Sequence, residues 1–387
     1  MQIMKAIRIL LRRGKTLSYL RTLVILTAII AVGVLSSCSK EGDTIFKPDP
    51  DERQASTAPL VTVVYDADGV GDQSYNDLIY QGVEEAALRY GLRTLQLSPQ
   101  THAEGLAILE RLFEQMSTAN DTVRRLCIVT SPVYDEFVRK NNSRLERNER
   151  ASLLYLDTAT PLEGKGSTLH LPYYGAMYEA GNIAPLFAVY VTFFGANPVS
   201  ELVAEALKGF TDGFNDRQDY IESSADTDDI GFQEGFLQVQ YLGEKADEGF
   251  NIDDEKALIL LKDNDITNMY SNMIVPLCGG AASVFTRFAD ITSAYTYMGI
   301  NHPQTSIYSP CSVVKHIDRA VIKCIGQWLS AESMPKHQTL GLSSGYTEVV
   351  LHPYSNFAKT TVQKYLTDAV MNEIHQKAIR KEEAYEK

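Results

Sequence analysis

From residue 60 onward the chain alternates short apolar, β-branched runs with longer segments whose apolar residues recur at helical spacing, and no other feature restricts its fold as much. Residues 60–65, LVTVVY, form a buried-strand pattern, and 78–90 a helix that stops at Gly91. A strand follows at 93–97, then a helix at 102–116 with Leu106, Leu109, Leu112 and Phe113 on one face. Next come a strand at 126–130, the start of a helix at 133–139, and a strand at 153–156 ending at Asp157. Strands that each lead into a helix pair in parallel, with helices covering the sheet. The pattern then repeats in kind: an apolar helix at 175–191, a helix at 201–215, a strand at 236–241, a helix at 253–262, a strand at 274–277, a helix at 281–288 and a strand at 295–300. The prediction is an α/β protein of two comparable lobes with a cleft between them. Ligands of open α/β sheets lie beyond the carboxyl ends of strands. That points to the turns after Tyr65, Thr130, Leu156, Tyr241, Leu277 and Ile300.

The 387 residues, 44% of them hydrophobic, can bury a large core without a disulfide framework. Cys127, Cys278, Cys311 and Cys324 form no C-x-x-C pair, and Cys127 and Cys278 lie in strand-like runs, so they read as buried free thiols. The formal net charge is −13. The first 37 residues carry six basic side chains and no acid, so the remainder has 30 basic against 49 acidic residues, a charge of −19. Nucleic-acid binding needs clustered Lys and Arg, so a nucleic-acid partner is excluded.

Residues 1–21 are basic and 22–35, TLVILTAIIAVGVL, are apolar. A charged segment, a short apolar run and small residues before a cut make a secretory signal, and the run is too short for a comfortable span of about 20 residues. Leu35-Ser36-Ser37-Cys38 resembles a bacterial lipobox, which implies cleavage after residue 37 and a lipid on Cys38. The expectation is a body anchored to the membrane in the cell envelope, facing the periplasm or the cell surface. Residues 38–59 then hold the lipidated Cys and a polar, Pro-containing flexible tether. Ser39-Lys40-Glu41-Gly42-Asp43 resembles acidic surface-export signals, and an acidic linker is the plain alternative. Residues 222–235, ESSADTDDIGFQEG, read as an acidic surface insertion, and 376–387 as a frayed helix end within a charged tail, 371–387.

The most informative segment runs from Val64 to Asn76, VYDADGVGDQSYN, a glycine-rich βα turn feeding a helix that starts near Ser74. Such turns bring backbone N–H groups to a ligand. Here Asp66, Asp68 and Asp72 would repel a pyrophosphate, and Gly69-Val-Gly71 lacks the third glycine of a dinucleotide fingerprint. A carboxylate-lined turn suits hydroxyls, amines or ring N–H groups. Asp72 or Ser74 can cap the helix, which leaves Asp66, Tyr75 and Asn76 as candidate ligand residues.

These residues resemble the Bmp family of purine-nucleoside-receptor lipoproteins, substrate-binding components of ABC transporters, whose first strand ends in an Asp followed six residues on by Asp-x-Ser-Phe-Asn. Here Asp66 precedes Asp72-Gln-Ser74-Tyr75-Asn76, and Gly82 keeps the helix pattern. Further matches follow in order to about residue 355: Tyr178-Glu-Ala-Gly181, Leu207-Lys-Gly-Phe210-Thr-Asp-Gly213, Tyr241-Leu-Gly243 through Phe250-Asn-Ile-Asp253, Gly279-Gly280, Ser312-Val-Val-Lys315-His-Ile-Asp318, and 340–350. The resemblance implies a periplasmic-binding-protein type I fold of two Rossmann-like lobes with hinge crossovers. Lobe one would be 60–170 and 310–335, and lobe two 171–305 and 340–370. It implies capture of a purine nucleoside for delivery to an ABC permease, with no cofactor. Tyr75 and Phe250 would sandwich the base, Asp66 would hydrogen-bond its nitrogens, Gly280 would offer backbone contacts, and Lys315 would reach ribose hydroxyls or an anionic neighbour. The family's Gly-Val-Asp strand reads Gly299-Ile300-Asn301, so a carboxylate that takes ribose hydroxyls is replaced by an amide, and His302 follows. Tyr75 in place of Phe adds a hydroxyl that needs a partner. Asp157 and Thr130 stand at suitable strand ends but match no distinctive pattern.

Other chemistries are weaker. Gly341-Leu-Ser343-Ser-Gly345 has the nucleophile-elbow spacing of a hydrolase, yet a strand pattern follows it where an elbow needs a helix. Asp66, Asp68, Gly71, Asp72 and Asp77 fit some calcium-loop positions, but Val70 holds the fifth and the bidentate Glu is missing. The seven His are scattered, so no metal is expected, and Trp328 reads as core. A paired-carboxylate glycosidase has no positive signal. The expected protein is a binding protein without catalytic residues. A sensor or surface-interaction lipoprotein on the same fold, with a different or no small ligand, is the alternative, and a hydrolase on this scaffold is the second.

Overall fold

The computed structural model describes residues 57–67, 69–223, 235–266, 272–330, 334–352 and 363–387. The signal segment, Cys38 and most of the tether lie outside these residues, as do Asp68 and most of the acidic insertion. Among the described residues no helix is long and apolar enough to cross a membrane.

The first lobe is built on six parallel strands in the order β12-β5-β4-β3-β1-β2. They are β1 (Leu60–Val64), β2 (Arg93–Leu97), β3 (Arg125–Val129), β4 (Ala151–Leu156), β5 (Ser167–His170) and a late strand, β12 (His337–Thr339). β1 and β3 are buried at four of five positions, which their Val, Leu and Ile content demands of strands covered on both faces. The helices are α1 (Tyr75–Tyr90), α2 (His102–Thr118), α3 (Asp135–Asn141) and α8 (Ile317–Leu329). α8 shares a core cluster with α1 and β1, in which Trp328 is buried.

The second sheet contains β6 (Tyr190–Gly195), β7 (Phe236–Tyr241), β8 (Asn272–Leu277) and β9 (Thr296–Tyr297), parallel in the order β7-β6-β8-β9. The stretch from residue 296 to 301 then changes partner. β10 (Gly299–Asn301) pairs in parallel with β11 (Cys311–Lys315), and β13 (Thr347–Leu351) closes the edge antiparallel to β11. Met298 N still donates to Ile274 O at 2.9 Å, so the two groups of strands meet at that residue. The helices are α4 (Tyr174–Ile183), α5 (Glu201–Ser223), α6 (Asp254–Asp263), α7 (Ala282–Thr292) and α9 (Asp368–Tyr385). α4 and α5 pack backbone to backbone: a Cβ on Gly181 would stand 2.0 Å from Phe210 O, and one on Gly213 would stand 1.9 Å from Tyr178 O. Two of the family-like segments thus carry a packing requirement.

Four expectations need correction. The apolar run 175–191 is not one helix. It breaks around Pro185, and its end belongs to β6, which lies between β7 and β8. Continuous apolar runs do not separate buried helix from buried strand by periodicity. Residues 310–335 do not move as a block to the first lobe: β11 pairs with β10 and β13, and only α8 returns. β12, which the sequence left unassigned, joins β5. The chain therefore passes between lobes after β5, after β11 and after β12. Finally, 371–387 is no frayed tail. It forms most of α9, whose Glu382 is buried.

Candidate functional site

A cavity of about 480 Å³ lies where the carboxyl ends of the two sheets face each other. Its lining comes from both lobes and includes Asp66, Tyr75, Asn76, Phe250 and Asn301. Five of the seven expected ligand residues therefore meet at one place. Gly280 is absent from the lining and its neighbour Gly279 takes part.

Lys315 is the larger departure. It is buried at the end of β11, where Nζ lies 2.7 Å from Asp157 Oδ2 with both side chains fully excluded from solvent. The ammonium also sits 3.9 Å from the Tyr173 ring centroid and 5.7 Å from that of Tyr75. It serves as an inter-lobe tie beneath the cavity. Asp157 itself lines the cavity, at φ 53°, a left-handed conformation that Asp tolerates better than most residues. Its Oδ1 accepts from Leu171 N at 3.2 Å, at the first crossover.

The turn before α1 is organised by carboxylates. Asp72 accepts from Ser74 N and Asn76 N at 2.9 Å each and from Asp77 N at 3.2 Å, so it caps the helix and Ser74 does not. Burial pushes the Asp72 carboxyl up to about 6 against the pull of these N–H groups. Asp77 accepts from Gly71 N at 2.6 Å and Gln73 N at 3.0 Å. The acidic spacing thus shapes the turn, and among the described residues no group of three or more His, Cys, Asp or Glu is arranged to hold a metal. Asp66 Oδ1 accepts from Asn76 Nδ2 at 3.0 Å. This fixes the Asn76 amide with Oδ1 turned elsewhere, and that oxygen is buried without a hydrogen-bond partner. Thr130 Oγ1 is in the same condition. Both residues line the cavity.

The extra hydroxyl of Tyr75 has its partner: it donates to Thr130 O at 3.1 Å. Burial, then the charge of Asp157, raises its pKa well above that of free tyrosine. Asn301, at φ 70°, joins the lobes: its Nδ2 donates to Ser74 Oγ at 2.8 Å, and Tyr173 OH donates to its Oδ1. Sequence reasoning did not single out Tyr173, although an aromatic residue at a lobe crossover is the available signal. Arg139 also escaped notice. It pairs with Asp135 at 2.8 Å and donates to Thr158 Oγ1 at 3.1 Å, pinning the loop after β4.

The Gly341–Gly345 segment has no elbow geometry. Ser343 lies in the 3-10 turn Leu342–Ser344, which leads into β13. Its two downstream histidines are committed elsewhere: His352 Nε2 to Ser312 Oγ at 2.8 Å, and His375 Nδ1 to Glu179 at 3.1 Å. The four cysteines of the folded body are buried free thiols, and burial pushes Cys311 and Cys324 up to about 12.

No protein-family model matches the sequence, and no curated protein matches it. Solved structures do. A solute-binding protein of an ABC transporter system from Aeropyrum pernix K1 superposes with a TM-score of 0.65 at 16% identity, covering 84% of this chain and 92% of that one. A transcriptional activator of the comK gene from Bacillus halodurans gives 0.58 at 14% identity, over 83% and 96%. A sugar transporter protein from Clostridium phytofermentans gives 0.50 at 14% identity, over 76% and 100%. With two parallel α/β lobes joined by three crossovers, the fold is that of the type I periplasmic binding proteins.

Proposed function

We propose that this chain is a substrate-binding lipoprotein that captures a small solute, most specifically a nucleoside, between its lobes for an ABC-type permease. The observation that carries the reading is the cavity at the facing strand ends, with Tyr75 on one lobe and Phe250 on the other. Aromatic side chains from two sides suit a planar base, and Asp66 and Asn76 supply acceptors for ring N–H groups or hydroxyls. The resemblance in the turn before α1 supports a nucleoside, while similar structures include a protein described as a sugar transporter. A ribose is common to both. Lys315 and Gly280 leave the proposed ligand set, and Thr130 enters it. The anchor would be the lipid on Cys38, which a Cys38→Ser exchange should release from the membrane fraction.

Calorimetric titration with purine and pyrimidine nucleosides and with ribose tests the reading. Heat at one-to-one stoichiometry with a purine nucleoside is expected, and Tyr75→Ala and Phe250→Ala should each weaken it by about 1–3 kcal/mol. No heat with any of them, from folded protein, would remove the nucleoside.

One observation favours a second reading, a sensor or surface-interaction lipoprotein. The lobes are already joined by Lys315–Asp157 and Asn301–Ser74, so closure draws on the chain's own side chains. The fold also occurs in a protein described as a transcriptional activator.

A further inference from the structure

The two walls of the cavity differ in chemistry. On the first lobe every lining residue except Pro132 and Val133 is polar or a tyrosine. On the second lobe the wall is largely hydrocarbon, with Leu202, Val203, Phe250, Pro276, Leu277 and Ile300 among its members. Val199 extends it to a position that is 58% exposed. The polar residues on that side are Ser200, Glu201 and Asn301, and Asn301 is already bonded to Ser74 and Tyr173.

The polar wall is specific about charge and donor sense. Asn76 Oδ1 can only accept, and it and Thr130 Oγ1 are buried without a hydrogen-bond partner in residues that line the cavity. The two cations nearby are engaged, Lys315 with Asp157 and Arg139 with Asp135. An anionic group would meet Asp66 and Asp72, with no unpaired cation among the described lining residues to offset them. A free sugar carries hydroxyls around its whole rim. Set against Leu202, Val203 and Leu277, half of them would lose water and gain no partner.

We infer that the ligand is amphipathic: a non-anionic head rich in hydrogen-bond donors lies on the first lobe, and an apolar body, aryl or alkyl, lies on the second. The inference deepens the solute-capture reading and rests on it. In nucleoside terms it selects a base bearing an apolar substituent over a bare nucleoside, and it excludes nucleotides. A cavity of about 480 Å³ is within the roughly 300–1,000 Å³ of pockets that hold ligands of this size.

The test is calorimetric titration of the protein with adenosine, N6-benzyladenosine and adenosine 5′-monophosphate. The benzyl compound should bind at least about ten-fold tighter than adenosine, given the apolar area one phenyl ring buries. The monophosphate should bind at least about ten-fold weaker, and Leu202→Asn should cut the benzyl advantage to below about three-fold. Val199→Ser, at an exposed position, makes the same test with a smaller loss if Leu202→Asn does not fold. A benzyl compound no tighter than adenosine, or a monophosphate bound as well, overturns the inference while leaving nucleoside capture intact. If no nucleoside binds, that capture fails, and the walls are tested alone with prodan, a neutral naphthalene dye whose emission shifts to the blue in apolar sites. Saturable one-to-one binding, weakened by either variant, would sustain the amphipathic site. Absence of such binding would end it.

Discussion

Lys315 and Asp157 come from different lobes, and neither side chain touches solvent. An ion pair in that position is held by mutual need: each partner has lost its water, and each is the other's main compensation. Tyr173, 3.9 Å from the ammonium, adds its ring face, and Leu171 N adds a hydrogen bond to the carboxylate. Lys315→Met should therefore destabilise the fold by about 3–5 kcal/mol, because it strands a buried carboxylate. Lys315→Met combined with Asp157→Asn should recover a large part of that loss, since Asn accepts the left-handed backbone at residue 157 and carries no charge. Urea unfolding of the two singles and the double forms the cycle, and strict additivity would deny the coupling. The sequence showed Asp157 at a strand end, and the resemblance aimed Lys315 at ligand. What it could not show is distance. The ends of β4 and β11 meet only because the lobes are folded against each other, and no spacing along the chain encodes that approach.

Secondary-structure elements were legible where period and punctuation agreed. β2 and β7 have the bounds that alternation and flanking turns predicted, and α1 stops at Gly91, whose φ of 65° suits a left-handed cap. β6 was lost inside an apolar run, and the short β12 carries no signal of its own. α9 was misjudged because its surface charge hides one buried acid. Glu382 accepts from Leu342 N and Gly175 N at 2.9 Å each, so one carboxylate grips two of the three lobe crossovers. A Cβ at Gly175 or Gly341 would stand 2.4 Å and 2.2 Å from its oxygens, so a larger residue there would displace the carboxylate. Burial raises this carboxyl from 4.5 to about 7, against the two N–H donors. The raised value means that the folded state holds the proton more tightly than the unfolded chain between about pH 4.5 and 7. Its contribution is thus fully present below 4.5 and is lost as pH rises to 7. The stability difference between wild type and Glu382→Gln should therefore shift against wild type by an amount on the order of 2–3 kcal/mol from pH 4.5 to 7.5. Denaturant titrations at several pH values measure it, and a difference independent of pH would refute the assignment.

At the scale of the whole molecule the question is what holds the lobes together in the absence of a ligand. Solute capture requires an open state, since the cavity lies between the walls it is lined by, and a ligand can shift the equilibrium only by its differential affinity for the closed form. Here the closed arrangement is supported by a buried ion pair and by the Ser74–Asn301–Tyr173 chain of hydrogen bonds. Ser74 precedes α1 on one lobe and Asn301 ends β10 on the other, so their bond spans the two lobes. A hydrogen bond of this kind contributes about 0.5–1.5 kcal/mol net, which changes a closed-to-open ratio by roughly two- to twelve-fold. Asn301→Ala combined with Ser74→Ala should consequently raise the open population and the radius of gyration of the ligand-free protein in small-angle X-ray scattering. Ligand should return the radius to the wild-type value. The wild type discriminates between the two functional readings. A transport component should contract when solute is added, whereas a chain that closes on its own contacts should show one radius with and without solute. In that second case, opening would have to come from a partner, which would favour the sensor over capture for a permease.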